Sequence, residues 1–228
     1  MANIVELRKV DKVYRGAVET QVLFGINLDF EQGSFNSIVG ESGSGKSTLL
    51  NIIGTLDKPT AGELRIKGLS TSSLNADKMA ELRNRSVGFV FQFHYLLPEF
   101  SAMENVLMPY LIGNGKADTS LKKRAEELFD MMGIARVKNN MANKMSGGQQ
   151  QRTAIARALM NNPVIFLADE PTGNLDSENT AVIYRIFRDV NRRLGTTFII
   201  VTHDRRIAEQ TDRIVEIKDG RIVLDLSR

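Results

Sequence analysis

Residues 40 to 48 read Gly40-Glu41-Ser42-Gly43-Ser44-Gly45-Lys46-Ser47-Thr48, and the first eight match G-x-x-x-x-G-K-[ST] in full. Glycines let backbone N–H groups turn inward around phosphate oxygens, and a helix starting at the lysine adds a favourable dipole. Lys46 can then reach the β- and γ-phosphates of a nucleotide, and the Ser47 hydroxyl can ligate Mg²⁺. Such a site also needs a carboxylate at the tip of a neighbouring strand. Asp169 follows the apolar run Val164 to Ala168 and is the candidate magnesium ligand. Glu170, one residue further out, can orient or deprotonate an attacking water, and strand-end capping is the plainer reading of the pair. His203 closes a second apolar run, Phe198 to Thr202. A lone histidine is usually structural, but strand ends on this side of a parallel sheet are where ligands bind. There it could donate to the γ-phosphate and sense ATP against ADP.

A second anion site is written at Ser146-Gly147-Gly148-Gln149. Ser146 and Gln149 make a capping box for the helix that runs through Ile155 to Leu159. Capping does not explain two consecutive glycines, which cost helix stability. They make sense where the backbone must approach something closely.

These groups need a frame. Ile4 to Val10 and Ile26 to Phe30 alternate like half-buried strands. Ser34 to Val39 leads into the Gly/Ser-rich turn, and Leu49 to Ile53 continues as a helical patch. Val164 to Ala168 and Phe198 to Val201 are short continuous apolar runs, the pattern of strands buried on both faces in a parallel sheet. A helical stretch from Ala181 to Leu194 links them as a crossover. Ile214 to Ile217 and Ile222 to Leu224 flank Asp219-Gly220, a hairpin signal. From about Phe93 to Met160 the chain reads as helical, with a loop at Gly113 to Lys116 and a charged helix near Leu121 to Met132. Seven of the nine methionines fall between Met103 and Met160. They read as filling for a helical core, the alternative being an adaptable surface for a partner helix. The expected class is α/β: a P-loop NTPase core with a mainly parallel sheet and an N-terminal antiparallel β part. The core spans about 1–92 and 161–228, with a helical lobe inserted at about 93–160.

Composition narrows the function. At 42% hydrophobic and 25% charged, the 228 residues are those of a globular chain. No apolar run approaches the roughly 20 residues of a membrane helix, and Met1 to Val13 alternates rather than forming a leader, so a soluble cytoplasmic protein is expected. There is no cysteine, hence no disulfide, thiolate metal site or cysteine nucleophile. A net charge of +3 is too balanced to argue for nucleic acid.

Taken together, the ordered motifs from Val5 to about Val223 resemble the nucleotide-binding subunits of ABC transporters. The resemblance implies an ATPase that uses Mg²⁺ and forms a head-to-tail homodimer. In it, the Ser-Gly-Gly-Gln of one copy closes on the ATP held by the other copy's phosphate loop, which accounts for the second anion site. It further implies that Tyr14 stacks on adenine, that Gln92 contacts Mg²⁺ and links to the inserted lobe, and that Asp176 sits at the dimer seam. One departure is Met145 where the family usually has leucine before the serine, a swap that conserves volume. More narrowly, Gln92 to Phe100, Glu104-Asn105-Val106, Met108-Pro109 and Leu111-Ile112-Gly113 look like the ATPase subunit of bacterial lipoprotein-releasing systems. That would place the chain on the cytoplasmic face of the inner membrane beside separate permease subunits. His94 and Tyr95 would then lie where such subunits hold a permease helix, packing within the lobe being the alternative. The stretch Leu167 to Asp176, which includes Asn174, is shared with macrolide and antimicrobial-peptide exporters and with a cell-division ATPase. Non-transport relatives acting on DNA or ribosomes usually carry a long coiled-coil insertion or two ATPase domains, and neither is seen here.

Overall fold

A computed structural model describes residues 2–16, 18–116, 118–173 and 175–227; Met1 and Asn174 lie outside the described residues. Two sheets organise the chain. In the first, β1 (Asn3–Tyr14) pairs antiparallel with both β2 (Thr20–Glu31) and β4 (Ala61–Ile66), and the two-residue β5 (Leu69–Ser70) completes the order β2-β1-β4-β5. The alternation of β1 turns Val5 and Leu7 inward, and an irregularity between Leu7 and Val10, where Lys9 takes a φ of 49°, returns Val10 to the same core. The second sheet runs β10-β9-β3-β8-β7-β6. Its strands β3 (Phe35–Val39), β6 (Val87–Phe91), β7 (Ile165–Asp169), β8 (Thr197–Val201) and β9 (Arg213–Lys218) are parallel. The edge strand β10 (Arg221–Ser227) returns antiparallel on β9 through Asp219 and Gly220, both at positive φ, as a two-residue hairpin turn demands.

The central strands β3, β7 and β8 are buried on both faces, and the period of two sends successive side chains to different cores. Ile165 and Leu167 join a cluster with the helix α1 (Lys46–Ile53), which lies between the two sheets. Phe166 and Ala168 join the opposite cluster with α3 (Ala102–Asn114), α4 (Thr119–Met131), α5 (Gly147–Leu159) and α6 (Ser177–Leu194). The helical stretch and the sheet therefore share one apolar core. Met132, Met145 and Met160 are buried in it and Met103 and Met131 pack against it, so the methionines mainly fill core; Met141 is exposed.

Two elements carry no clear periodic signal. The helix α2 (Ala76–Ser86) buries only Met79 and Ser86, so it has no apolar stripe, and β6 is a five-residue run that contains glycine. The expected loop at Gly113 begins later. The helix α3 continues through Asn114 and is capped by Gly115, because Ser101 and Glu104 anchor its start with a capping box and Pro109 does not break it. A short α7 (Arg205–Ala208) precedes β9.

Candidate active site

Parallel register levels the strand ends. Phe91 pairs with Asp169, Asp169 with Val201, and Val201 with Ile38. The residues that follow these ends, Gln92, Glu170, His203 and the loop from Gly40, therefore meet at one edge of the sheet, where open α/β sheets bind ligands. They surround a cavity of about 470 Å³ lined by Ser42, Gly43, Gly45, Lys46, Ser47, Thr48, Gln92, Asp169, Glu170 and His203, with Val22 and Val201. Ten residues expected at the phosphate site are thus brought together. Val22 and Val201 carry no chemical signal in the sequence and supply only walls.

The loop is held from below. Lys46 is buried, and its Nζ donates to the carbonyl oxygens of Gly40 (2.9 Å) and Glu41 (2.6 Å), drawing the turn closed around the amine. The Gly220 N–H donates to the Ser44 carbonyl at 3.0 Å, so the β9–β10 turn braces the loop from the side. Gly40 has φ of 153°, and a Cβ there would lie 2.2 Å from the Ile217 carbonyl oxygen. Ser44 Oγ is buried without a hydrogen-bond partner.

Burial pushes the Asp169 carboxyl up, against the opposing pull of the Ser47 hydroxyl and the Lys46 charge. Its Oδ1 is buried with no hydrogen-bond partner. A buried carboxylate oxygen left without a donor is unfavourable by about 1–3 kcal/mol or more, and a cation beside it removes that cost. The Ser47 hydroxyl, the Asp169 carboxylate and the Gln92 amide oxygen are hard donors, a set that suits a small divalent cation. Glu170 holds a non-glycine φ of 47°, fixed by its N–H to the Val201 carbonyl (3.0 Å), and backbone strain of this kind collects at functional sites. Its Oε1 is 2.9 Å from His203 Nδ1, with the imidazole 73% exposed. Carboxylate and histidine are thus already oriented on each other.

The helix start expected to be the second anion site lines another cavity, of about 780 Å³, where Ser146, Gly147, Gly148, Gln149 and Asp176 stand together with Arg136, Arg152 and Asn179. The capping box is present: Ser146 Oγ accepts from the Gln149 N–H and the Gln149 side chain accepts from the Ser146 N–H. Asp176 caps α6 by accepting from the Asn179 N–H and side-chain amide, and these bonds hold its carboxyl below the usual range. Arg152 donates to the Asn179 Oδ1 at 2.8 Å, which ties the starts of α5 and α6 together. A Cβ added at Gly147 would meet nothing within 4 Å. The protomer's own packing thus leaves that glycine unexplained.

Tyr14 stands outside both linings, at the end of β1 and 43% exposed. Its hydroxyl donates to Asp57 (3.0 Å), and Lys12 Nζ lies 4.8 Å from the ring centre. Nothing in the spacing of the sequence marks Asp57, Asn179 or Arg152.

The sequence profile of the ABC transporter family matches residues 23–173. The chain is 50% identical to the lipoprotein-releasing system ATP-binding protein LolD 1 of Rhodopseudomonas palustris over 224 residues, 97% of this chain and 99% of that one. It is 46% identical to LolD of Aquifex aeolicus, with 100% of both chains covered. Among solved structures, the dimeric ATP-binding cassette MJ0796 in a post-hydrolysis state bound to ADP and Pi superposes with a TM-score of 0.91 at 43% identity, covering 98% of each chain. With the phosphate loop, the strand-end carboxylates and the capped Ser-Gly-Gly-Gln helix all in place on this fold, the chain belongs to the ABC transporter family, as one of its ATP-hydrolysing cassettes.

Proposed function

We propose that the chain is the ATPase subunit of a lipoprotein-releasing transporter. In this reading it acts as a homodimer that closes head-to-tail around two ATP molecules with Mg²⁺ and drives separate permease subunits from the cytoplasmic face of the inner membrane. Relatives 46–52% identical over nearly the whole chain carry the lipoprotein-releasing name, which favours this cargo over drug, peptide or division roles. The observation that carries the dimer is the presence of two helix N-termini built for anions, at Lys46 and Gly147, in separate cavities of one protomer. A single triphosphate unites them when two copies face each other with the halves exchanged. Gly147, unexplained within the protomer, is then bare because the opposing nucleotide occupies the space.

In this mechanism Lys46 and the N–H groups from Gly43 to Thr48 hold the β- and γ-phosphates. Ser47, Asp169 and Gln92 would hold Mg²⁺, which would supply charge neutralisation on the phosphate oxygens. Glu170 orients and deprotonates the attacking water, a contribution of about 10²–10⁴-fold. His203 binds the γ-phosphate and, through its Nδ1, keeps the Glu170 carboxylate in place. Ser146, Gly147, Gly148 and Gln149 bind the same γ-phosphate from the other copy, Asp176 lies at the seam, and Tyr14 stacks on adenine. Loss of the γ-phosphate removes the anion shared by both copies and the halves part. No helix among the described residues is long and apolar enough to cross a membrane, and the reading assigns the span to the permease. Phe93 and Tyr95, 63% and 66% exposed beside Gln92, offer the permease an aromatic surface.

Glu170→Gln tests the reading. Mg-ATP turnover should fall at least 100-fold with nucleotide affinity unchanged, and the protein should shift from monomer to dimer by light scattering on adding Mg-ATP. A variant that turns over ATP at the wild-type rate removes Glu170 from the mechanism.

A further inference from the structure

Gln151 is 0% exposed, one turn past the Ser146-Gly147-Gly148 start of α5. Its side chain is bonded to three residues on two segments. The Nε2 donates to the Pro171 carbonyl at 2.5 Å and to the Phe91 carbonyl at 3.5 Å. The Oε1 is bonded to His94 Nδ1, and with the amide nitrogen engaged as donor, that imidazole nitrogen carries the proton. Further along the same helix, Arg157 donates to the carbonyls of His94 (2.8 Å) and Tyr95 (2.6 Å). The loop from Phe91 to Tyr95, which carries Gln92 into the phosphate cavity and Phe93 and Tyr95 to the surface, is thus fastened to α5 by two side chains. Only one of them, Gln151, also reaches the segment that carries Glu170. Pro171 is the next residue after that strained carboxylate, and the Glu170 carbonyl accepts from Gly173 to close the turn.

We infer that Gln151 is a positioning residue that couples the surface loop 91–95 to Glu170, with His94 as the loop-side arm of the relay. Displacement of the loop pulls on His94, which reorients the buried amide and with it the Pro171 carbonyl. The Glu170 backbone, already held at an uncommon φ, moves in consequence. The inference rests on the catalytic role of Glu170 proposed above. A buried amide that merely satisfies the core would affect stability and leave turnover intact. A relay makes turnover depend on both ends of the amide.

The experiment compares Mg-ATP turnover, fluorescent ATP-analogue affinity and Tm for the full-length protein, Gln151→Leu, His94→Ala, His94→Asn and the Gln151→Leu/His94→Ala double variant. Gln151→Leu should lower kcat at least about tenfold, with nucleotide affinity within about twofold of wild type. His94→Ala should lower kcat about three- to tenfold, and His94→Asn should restore it, because its amide N–H replaces the imidazole donor. The double variant should be no slower than Gln151→Leu alone, since His94 acts through the amide. A folded Gln151→Leu with wild-type kcat, a loss confined to affinity, or effects that multiply in the double variant overturns the relay while leaving the functional reading intact. Should Gln151→Leu fail to fold, the His94 pair decides: His94→Ala as fast as wild type, or His94→Asn as slow as His94→Ala, overturns it. A wild-type protein without Mg-ATP turnover sinks the functional reading and the relay with it.

Discussion

A Cβ at residue 40 would press on the Ile217 carbonyl at 2.2 Å and on Ser44 Oγ at 2.8 Å, whereas one at residue 147 would stand in open space. The first glycine answers to the fold; the second has no such demand within the protomer, and the proposed dimer supplies one. Gly40→Ala should therefore destabilise by about 2 kcal/mol or more, read as a lowered Tm. Gly147→Ala should leave stability equal or up to about 1 kcal/mol higher, since alanine is the better helix former, while ATP turnover drops at least tenfold. Equal turnover in Gly147→Ala would remove the argument for a close approach there. Residue types alone reveal both glycines, Lys46, Asp169 and Glu170, because phosphate and metal chemistry dictates types at short spacing. Gln151 is invisible to such reading: its partners lie 57 and 20 positions away, and glutamine in a helix carries no local signature.

At the scale of elements, the end of β1 is fastened to the connection between α1 and β4. Asp57 accepts from Lys12 Nζ (2.6 Å), the Lys58 N–H (2.7 Å) and the Tyr14 hydroxyl (3.0 Å). Burial works against its charge, but these three donors prevail and hold the Asp57 carboxyl below its ordinary 3.8. A depressed folded-state value contributes stability above the unfolded value, which is lost as pH falls through the folded one. The Tm difference between wild type and Asp57→Asn should hence be constant near neutrality and shrink below about pH 3.8. A difference that persists unchanged at lower pH would dissociate the cluster from stability. Near neutral pH Asp57→Ala, which removes the partner of the Tyr14 hydroxyl altogether, should weaken ATP affinity severalfold with kcat at saturation unchanged. The strands β7 and β8 and the β9–β10 hairpin are legible in the sequence, being runs with one consistent period or a marked turn. The helix α2 is not, because burying little more than Met79 leaves no stripe to detect, and the Asp57 cluster is not, because it joins residues 45 positions apart.

The whole molecule presents one phosphate cradle and one bare helix start on different cavities, and a protomer cannot apply both to one nucleotide. Two identical copies related by a two-fold axis can, since each contributes the half the other needs. The arrangement predicts complementation. Lys46→Ala destroys the cradle and spares the helix start. Gly147→Asp places a carboxylate where the proposed dimer brings the opposing nucleotide, yet costs the fold little, because an acid at a helix N-terminus is favourable and the space is empty. Each variant alone should be inactive, for every composite site in its homodimer has one defective half. Mixed in equal amounts, half of all dimers carry one of each, and in each of these one site unites both intact halves. Turnover should then recover to about a quarter of the wild-type rate per chain, given that the two sites work independently. If the sites fire only as a pair, recovery is absent although mixed dimers form, which native mass spectrometry or a two-colour label would reveal. If a protomer were sufficient alone, Gly147→Asp would be active before mixing, and the exchanged-halves architecture would fall.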